Sequence, residues 1–213
     1  MKTSIETDCD ASPSIRQRRR PQQRRGSARV AAILDAMATL VAEGGLENVT
    51  MHGLAEVART SIGSLYHFFP DRDNVLRALE ERHAAAMGDI TAKLHAIPLA
   101  VWRDASVDEV AWHLTADYLN YLRAHPDYFP IMVNRRLPHT DAVFVALLNG
   151  VLSIRLPGAN SETCHIYANT IHALLLGGIT MAYQSGPAVL SSFMTEMPRV
   201  LKTYLADLER QQA

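Results

Sequence analysis

Cysteine is nearly absent. The chain of 213 residues has two, Cys9 and Cys164, too few for a disulfide framework or a cysteine metal cluster. Eleven glycines and ten prolines exclude collagen-like and Pro/Gly-rich classes. No long apolar run exists. The longest near-apolar stretch, Ile171 to Tyr183, contains His172, Thr180 and two glycines and is too short to span a bilayer. The first residues are polar and acidic, with no apolar segment typical of a secretory signal. The expected setting is the cytoplasm, with no membrane partner. Nine histidines are scattered without a His-x-x-x-His pair, and no Cys-x-x-Cys occurs, so no metal is expected. The Gly-x-Ser-x-Gly elbow and the P-loop pattern are both missing, and no catalytic residue or cofactor is expected.

What is present is apolar content and uneven charge. Hydrophobic residues make up 48% and net charge is −1, values ordinary for a globular chain. Ala11 to Arg29 carries seven arginines and no acid, while Glu81 to Ala213 carries ten basic and twelve acidic residues. Positive charge therefore sits at the N-terminal end, where a nucleic-acid contact would use it. Residues 1–26 have few large apolar side chains and read as a disordered basic arm.

Helical periodicity follows. Val30, Ile33, Leu34, Met37, Leu40 and Val41 share one face, with Ser27 as N-cap and Gly44-Gly45 as stop. Thr50 caps a short helix, Met51 to Ala58, which turns Leu54 and Val57 inward. Arg59-Thr60 is a tight connection. Ser61 caps a third helix, Ile62 to Phe68, and Pro70 ends it. Asp71 caps a fourth helix running to about Leu94. Two short helices across a tight turn, packed on a longer one, form a helix-turn-helix unit. Leu54, Val57, Leu65 and Phe68 are expected to be covered, which leaves the outer face of the third helix for function. Later spans are 106–124, 127–136, 140–154, 161–184 and 188–211, separated by prolines. The fold class is all-α. The expected organisation is the arm at 1–26, a DNA-binding domain at 27–75 and a helical domain at 76–213.

The segment from Leu54 to Arg72 resembles the DNA-binding domain of the TetR family of transcriptional regulators. Ser61, Gly63, Ser64, Leu65, Tyr66, Phe68, Phe69, Arg72 and Leu76 occupy matching positions. Upstream, Ile33 to Ala36, Glu43 to Gly45 and Val49-Thr50 fit as well. Arg59 stands where the family usually has glycine, and glycine lowers the cost of a left-handed turn. His52 stands where Arg or Lys is common, and Thr60 replaces a small apolar residue.

The resemblance implies a DNA reader. Thr50 and Ser61 would present helix N-termini to phosphates. Tyr66, His67, His52 and Arg72 would reach phosphates. Gly63 would let the backbone approach the groove, and Ile62 and Ser64 would meet base edges. The resemblance also implies that the C-terminal region binds a small-molecule effector and forms a homodimer. Candidate pocket residues are Trp112, Tyr121, Phe129, Met132, Phe144, Asn169 and His172. Trp102, Tyr118 and Tyr128 belong to the same aromatic cluster, and His113, His165 and the Arg135-Arg136 pair are further polar candidates. The last two long helices, through Ile166, Ile171, Leu174, Leu175, Ile179 and Met181 of the first and Val189, Phe193, Met197, Val200, Leu201, Tyr204, Leu205 and Leu208 of the second, with Ala168, Gly177 and Gly178, would form the dimer. The expected function is an operator-binding repressor on double-stranded DNA, released by its effector. The alternatives are an activator, an effector-independent regulator, or an all-α ligand-binding protein or enzyme.

Overall fold

The computed structural model describes residues 15–134 and 139–212, with side chains described over 25–133 and 142–212. Among the described residues there are ten α-helices and one 3₁₀ turn, and no strand. The helices are α1 (Ile15–Gly44), α2 (Met51–Val57), α3 (Ile62–Phe68), α4 (Arg72–His95), α5 (Leu99–Asp104), α6 (Val107–Ala124), α7 (Tyr128–Asn134), α8 (His139–Arg155), α9 (Ser161–Gln184) and α10 (Pro187–Gln212).

Helix α1 begins well before Ser27, so Ser27 lies inside it and is not its N-cap. Arg and Gln are good helix formers, and extending a formed helix is cheaper than starting one. The helical backbone therefore takes in much of the expected arm, while residues 1–14 lie outside the described residues. Helix α5 is a single short helix missed by the sequence reading. It is too brief for a periodic signal, and it is held by Trp102, which is almost fully buried.

Three caps set the register of the N-terminal unit. Thr50 accepts the Gly53 N–H at 3.1 Å, Ser61 the Ser64 N–H at 3.1 Å and Asp71 the Asn74 N–H at 2.8 Å. Each satisfies a donor that the helix start leaves unpaired. The seven-residue α2 and α3 could not persist alone. Leu54 and Leu65 are fully buried against Ile33, Met37 and Val41 of α1, and each such side chain contributes roughly 1.5–3 kcal/mol. Val57 was expected inward but is 43% exposed. It lies in the last turn of α2 and takes no part in the N-terminal core. Phe69, just past α3, is buried more deeply than Phe68.

Arg59 has φ of 50°. Its N–H bonds the Glu56 carbonyl at 3.0 Å, and the Thr60 N–H bonds the Ala55 carbonyl at 2.9 Å. This is the paired closure of a Schellman motif, which requires a left-handed residue at this position. The Arg29 guanidinium donates to the Thr60 hydroxyl at 2.7 Å, which ties α1 to the turn.

Helix α4 runs unbroken through residues 75–80, where the sequence reading divides two domains. Its Val75 and Leu79 pack in the N-terminal core, and its Leu94 packs in the C-terminal one. Ile131 of α7 also packs in the N-terminal core. Helices α6, α8, α9 and α10 build the C-terminal unit around Leu148, Leu152, Ala168, Ile171 and Leu205. Arg155, nearly buried, closes one end of it. It donates to the Trp102 and Ala105 carbonyls at 2.7 and 2.8 Å and pairs with Glu209 at 2.6 Å. The last carbonyls of α5 thus find a cationic donor.

Candidate functional site

The first surface is that of α3. Tyr66 is 49% exposed, and Gly63, His67 and His52 are also exposed. A side chain at Gly63 would meet nothing within 4 Å, so another molecule can lie directly against this backbone. Ser64 is half-buried. Ile62 is half-buried too, but it packs against the N-terminal core, so only part of it remains for a base edge. The Arg72 guanidinium turns toward the Asp73 carboxylate at 3.2 Å and reaches the Leu46 carbonyl at 3.5 Å. A phosphate at Arg72 would compete with Asp73. The hydrogen bonds that Thr50 and Ser61 accept as caps hold the starts of α2 and α3 in place beside this surface.

The second feature is a cavity of about 100 Å³ in the C-terminal unit. Met87, Ile90, Thr91 and Leu94 of α4 form one wall, and Leu114, Thr115 and Tyr118 of α6 form another. Tyr128 of α7, Phe144 of α8, and His172, Leu175 and Leu176 of α9 complete it. Of the seven pocket candidates, Phe144 and His172 line this cavity. The other five lie elsewhere. Trp112 is 62% exposed on the outer face of α6. Phe129 is buried and stacks on Tyr183 with centroids 5.2 Å apart, and Met132 packs in that same cluster. Asn169 is exposed and donates to the His165 carbonyl at 2.8 Å. Tyr121 borders a separate groove between α1, α4 and the start of α7. Arg135-Arg136 lie outside the described residues. The sequence reading missed the α4 wall, although Met87, Ile90, Thr91 and Leu94 fall at the i, i+3, i+4, i+7 spacing that marks one helical face.

Between these two features lies a buried polar cluster. His83 of α4 is fully buried, with Nε2 2.9 Å from the Asp127 carboxylate and Nδ1 2.6 Å from the Tyr121 hydroxyl. Nε2–H can donate to Asp127, and the Nδ1 contact with the Tyr121 hydroxyl takes its direction from the ring's proton on that side. Burial, reinforced by the Asp127 charge, pushes the Tyr121 hydroxyl up to about 12, which keeps it protonated. Burial would raise Asp127, but the hydrogen bond and charge of His83 outweigh it and hold the carboxyl below its usual range. Burial lowers His125 against the opposing pull of Asp127, and His83 and Arg82 lower it further. Tyr128 packs edge-on to His83 with centroids 5.3 Å apart while also walling the cavity. Arg82, one residue away, pairs with Asp35 of α1 at 2.6 Å. Among the described residues no cluster of His, Cys, Asp or Glu converges to hold a metal ion, and no helix is long and apolar enough to cross a membrane.

An exposed reading helix on a capped helix-turn-helix, joined by one continuous helix to an all-α unit with an apolar cavity, defines a helix-turn-helix regulator. Residues 33–79 match the family model of bacterial regulatory proteins, tetR family. Over those residues the chain is similar to that family of regulatory proteins. It is 28% identical over 149 residues to the HTH-type transcriptional repressor AcnR of Corynebacterium diphtheriae, covering 68% of this chain and 77% of that protein. The fold is shared with a TetR-family transcriptional regulator from Streptomyces coelicolor, with TM-score 0.53, 21% identity and coverage of 84% of this chain and 99% of the other. It is shared also with a gamma-butyrolactone receptor (ArpA like protein), with TM-score 0.57, 17% identity and coverage of 88% and 99%.

Proposed function

We propose that the protein is a homodimeric repressor that holds operator DNA through α3 and leaves it when a small molecule fills the C-terminal cavity. The observation that carries this reading is the paired exposure of Tyr66 and the open backbone at Gly63 on a unit rigidly capped at Thr50, Ser61 and Asp71. The 28% identity to a named repressor supports the sign of regulation, and the butyrolactone receptor sharing this fold supports an effector. The roles of Ile62 and Ser64 at base edges, and of Thr50, Ser61, Tyr66, His67, His52 and Arg72 at phosphates, belong to this proposal. So does the division into a reading unit that ends within α4 and a helical unit beyond it.

Release requires that the effector bind one spacing of the two reading heads better than the other. Helices α4 and α7 are placed to transmit this, since each contributes side chains both to the cavity wall and to the N-terminal core. For dimerisation, the two last helices sort their apolar residues. Ile171, Ile179, Met197, Leu201 and Leu205 are buried in their own chain, whereas Ile166, Leu174, Met181, Val189 and Val200 face outward, Met181 at 69% exposure. Ala168 is buried, and Gly178 sits so close to the Phe193 ring that any side chain there would clash, so both serve packing within the chain. Gly177 is exposed with open space above it, where a partner helix could approach. Such an outward apolar stripe favours a twofold mate.

The test is a gel shift against the DNA flanking its own gene, with sedimentation at micromolar concentration. Specific retardation and a dimeric mass are expected. Leu174→Arg should yield monomers that no longer retard the DNA. A monomeric wild type, or no retardation, would reject the reading.

A further inference from the structure

The cavity is unusual in what its wall lacks. Among its described lining residues there is no Lys, Arg, Asp or Glu. A fully charged ligand group would lose its hydration here without gaining an oppositely charged Lys, Arg, Asp or Glu, which is unfavourable. Size is a second restriction. At about 100 Å³ and partly open to solvent, it is of the same order as the roughly 150 Å³ cavity known to accept benzene. A long chain or a nucleotide-bearing ligand would not be enclosed by this volume.

Two of the polar side chains in the wall, which stand beside Tyr118, Tyr128 and His172, set a third restriction. The Thr115 hydroxyl, almost fully buried, donates to the Ala111 carbonyl at 2.7 Å. The Thr91 hydroxyl donates to the Met87 carbonyl at 3.0 Å. Each hydroxyl has one hydrogen and has committed it to its own helix. What remains for a ligand is lone pairs, so these groups are acceptors. A molecule placed against them gains by bringing an O–H or N–H.

We propose that this cavity takes an uncharged molecule of single-ring size carrying a hydrogen-bond donor on an otherwise apolar body, in the manner of a small phenol or aromatic alcohol. This rests on the reading of the cavity as the effector site.

The test is calorimetric titration of the full-length protein at neutral pH with phenol, benzyl alcohol, toluene, benzoate and benzylammonium. Phenol and benzyl alcohol should saturate at one per chain. Toluene, which has no donor, should bind several-fold more weakly, and the two ions about tenfold more weakly or worse. Thr115→Val keeps the shape and removes the acceptor, so it should erase the advantage of phenol over toluene, while Thr115→Ser retains it. Leu176→Trp, checked for folding by circular dichroism, should block every probe. Benzoate or benzylammonium binding as tightly as phenol would overturn the proposal. So would equal binding of toluene and phenol, or failure of every uncharged probe to saturate. Fluorescence anisotropy with labelled DNA flanking the gene separates the two ideas. Phenol bound without loss of DNA affinity would uphold the ligand class and sink the effector reading. DNA release by benzoate alone would do the reverse.

Discussion

His83 and Asp127 lie 44 residues apart in sequence and meet at 2.9 Å with both side chains buried. Their contact joins the helix leaving the reading unit to the start of the short helix that walls the cavity. Such a pair contributes little over an apolar alternative, but breaking it is costly. His83→Ala would leave the Asp127 carboxylate buried without its main donor. The expected loss is roughly 3–5 kcal/mol of stability, read by urea unfolding at fixed protein concentration. His83→Ala combined with Asp127→Ala should recover part of it. A loss under 1 kcal/mol for the single variant would show that water or another group takes His83's place.

Stability should fall on mild acidification. The folded-state value of His125 is depressed, so the unfolded chain takes up its proton first. Its contribution is present above the ordinary histidine range and is lost as pH drops through the lower folded value. The Asp127 carboxyl, also depressed, contributes above the ordinary carboxylate range and is lost only in stronger acid. Melting temperature should therefore decline from pH 7.5 to 5.5, and His125→Asn should flatten that decline. Parallel profiles for the two proteins would assign the acid sensitivity elsewhere.

Arg59 holds a left-handed conformation without the freedom of glycine. A non-glycine residue there costs roughly 1–2 kcal/mol, while glycine returns some of that through its greater unfolded-state entropy. Arg59→Gly should raise stability by about 0.5–1 kcal/mol, measured by thermal or urea unfolding. Arg59→Val, β-branched, should lower it. If glycine destabilises, the side chain of Arg59 makes a contact worth more than the strain.

Gly63 separates helix stability from DNA affinity. With nothing near its missing side chain, Gly63→Ala should gain up to about 1 kcal/mol in helix propensity. On the proposed docking the methyl group would stand where DNA approaches, so affinity should fall on operator and unrelated DNA alike. Tyr66→Phe should also weaken both about equally, because a phosphate contact carries no sequence information. Ser64→Ala should change which operator is preferred, a good base contact being worth about 1–3 kcal/mol. Ser64 is a cleaner probe than Ile62, whose partial burial in the core mixes stability with recognition. A preference shift from Tyr66→Phe, with none from Ser64→Ala, would reverse the docking of α3.

Much of the reading unit was legible because its signals are local. Thr50, Ser61 and Asp71 each cap a helix from three residues away, and a cap depends only on its own turn. The helix expected at 161–184 has those limits in the structure, since Asn160 caps one end and Gly186 follows the other. Arg59 belonged to the same local class: a six-residue closure around α2 demands a left-handed residue whatever surrounds it.

Sequence alone thus determined that the chain is helical, where most helices start, and that α2 and α3 form a reading unit of the TetR type. Tertiary structure decided which apolar face meets what. Leu174 and Ile171 are equally apolar and lie on one helix, but one faces outward and the other is buried in the core. Trp112 and Met87 were likewise indistinguishable by type, and packing placed the tryptophan outside and the methionine in the cavity wall. The His83–Asp127 contact had no sequence signal at all. Periodicity reports that residues share a face. What that face touches depends on the crossing of helices far apart in the chain, where burial of one surface competes with burial of every other.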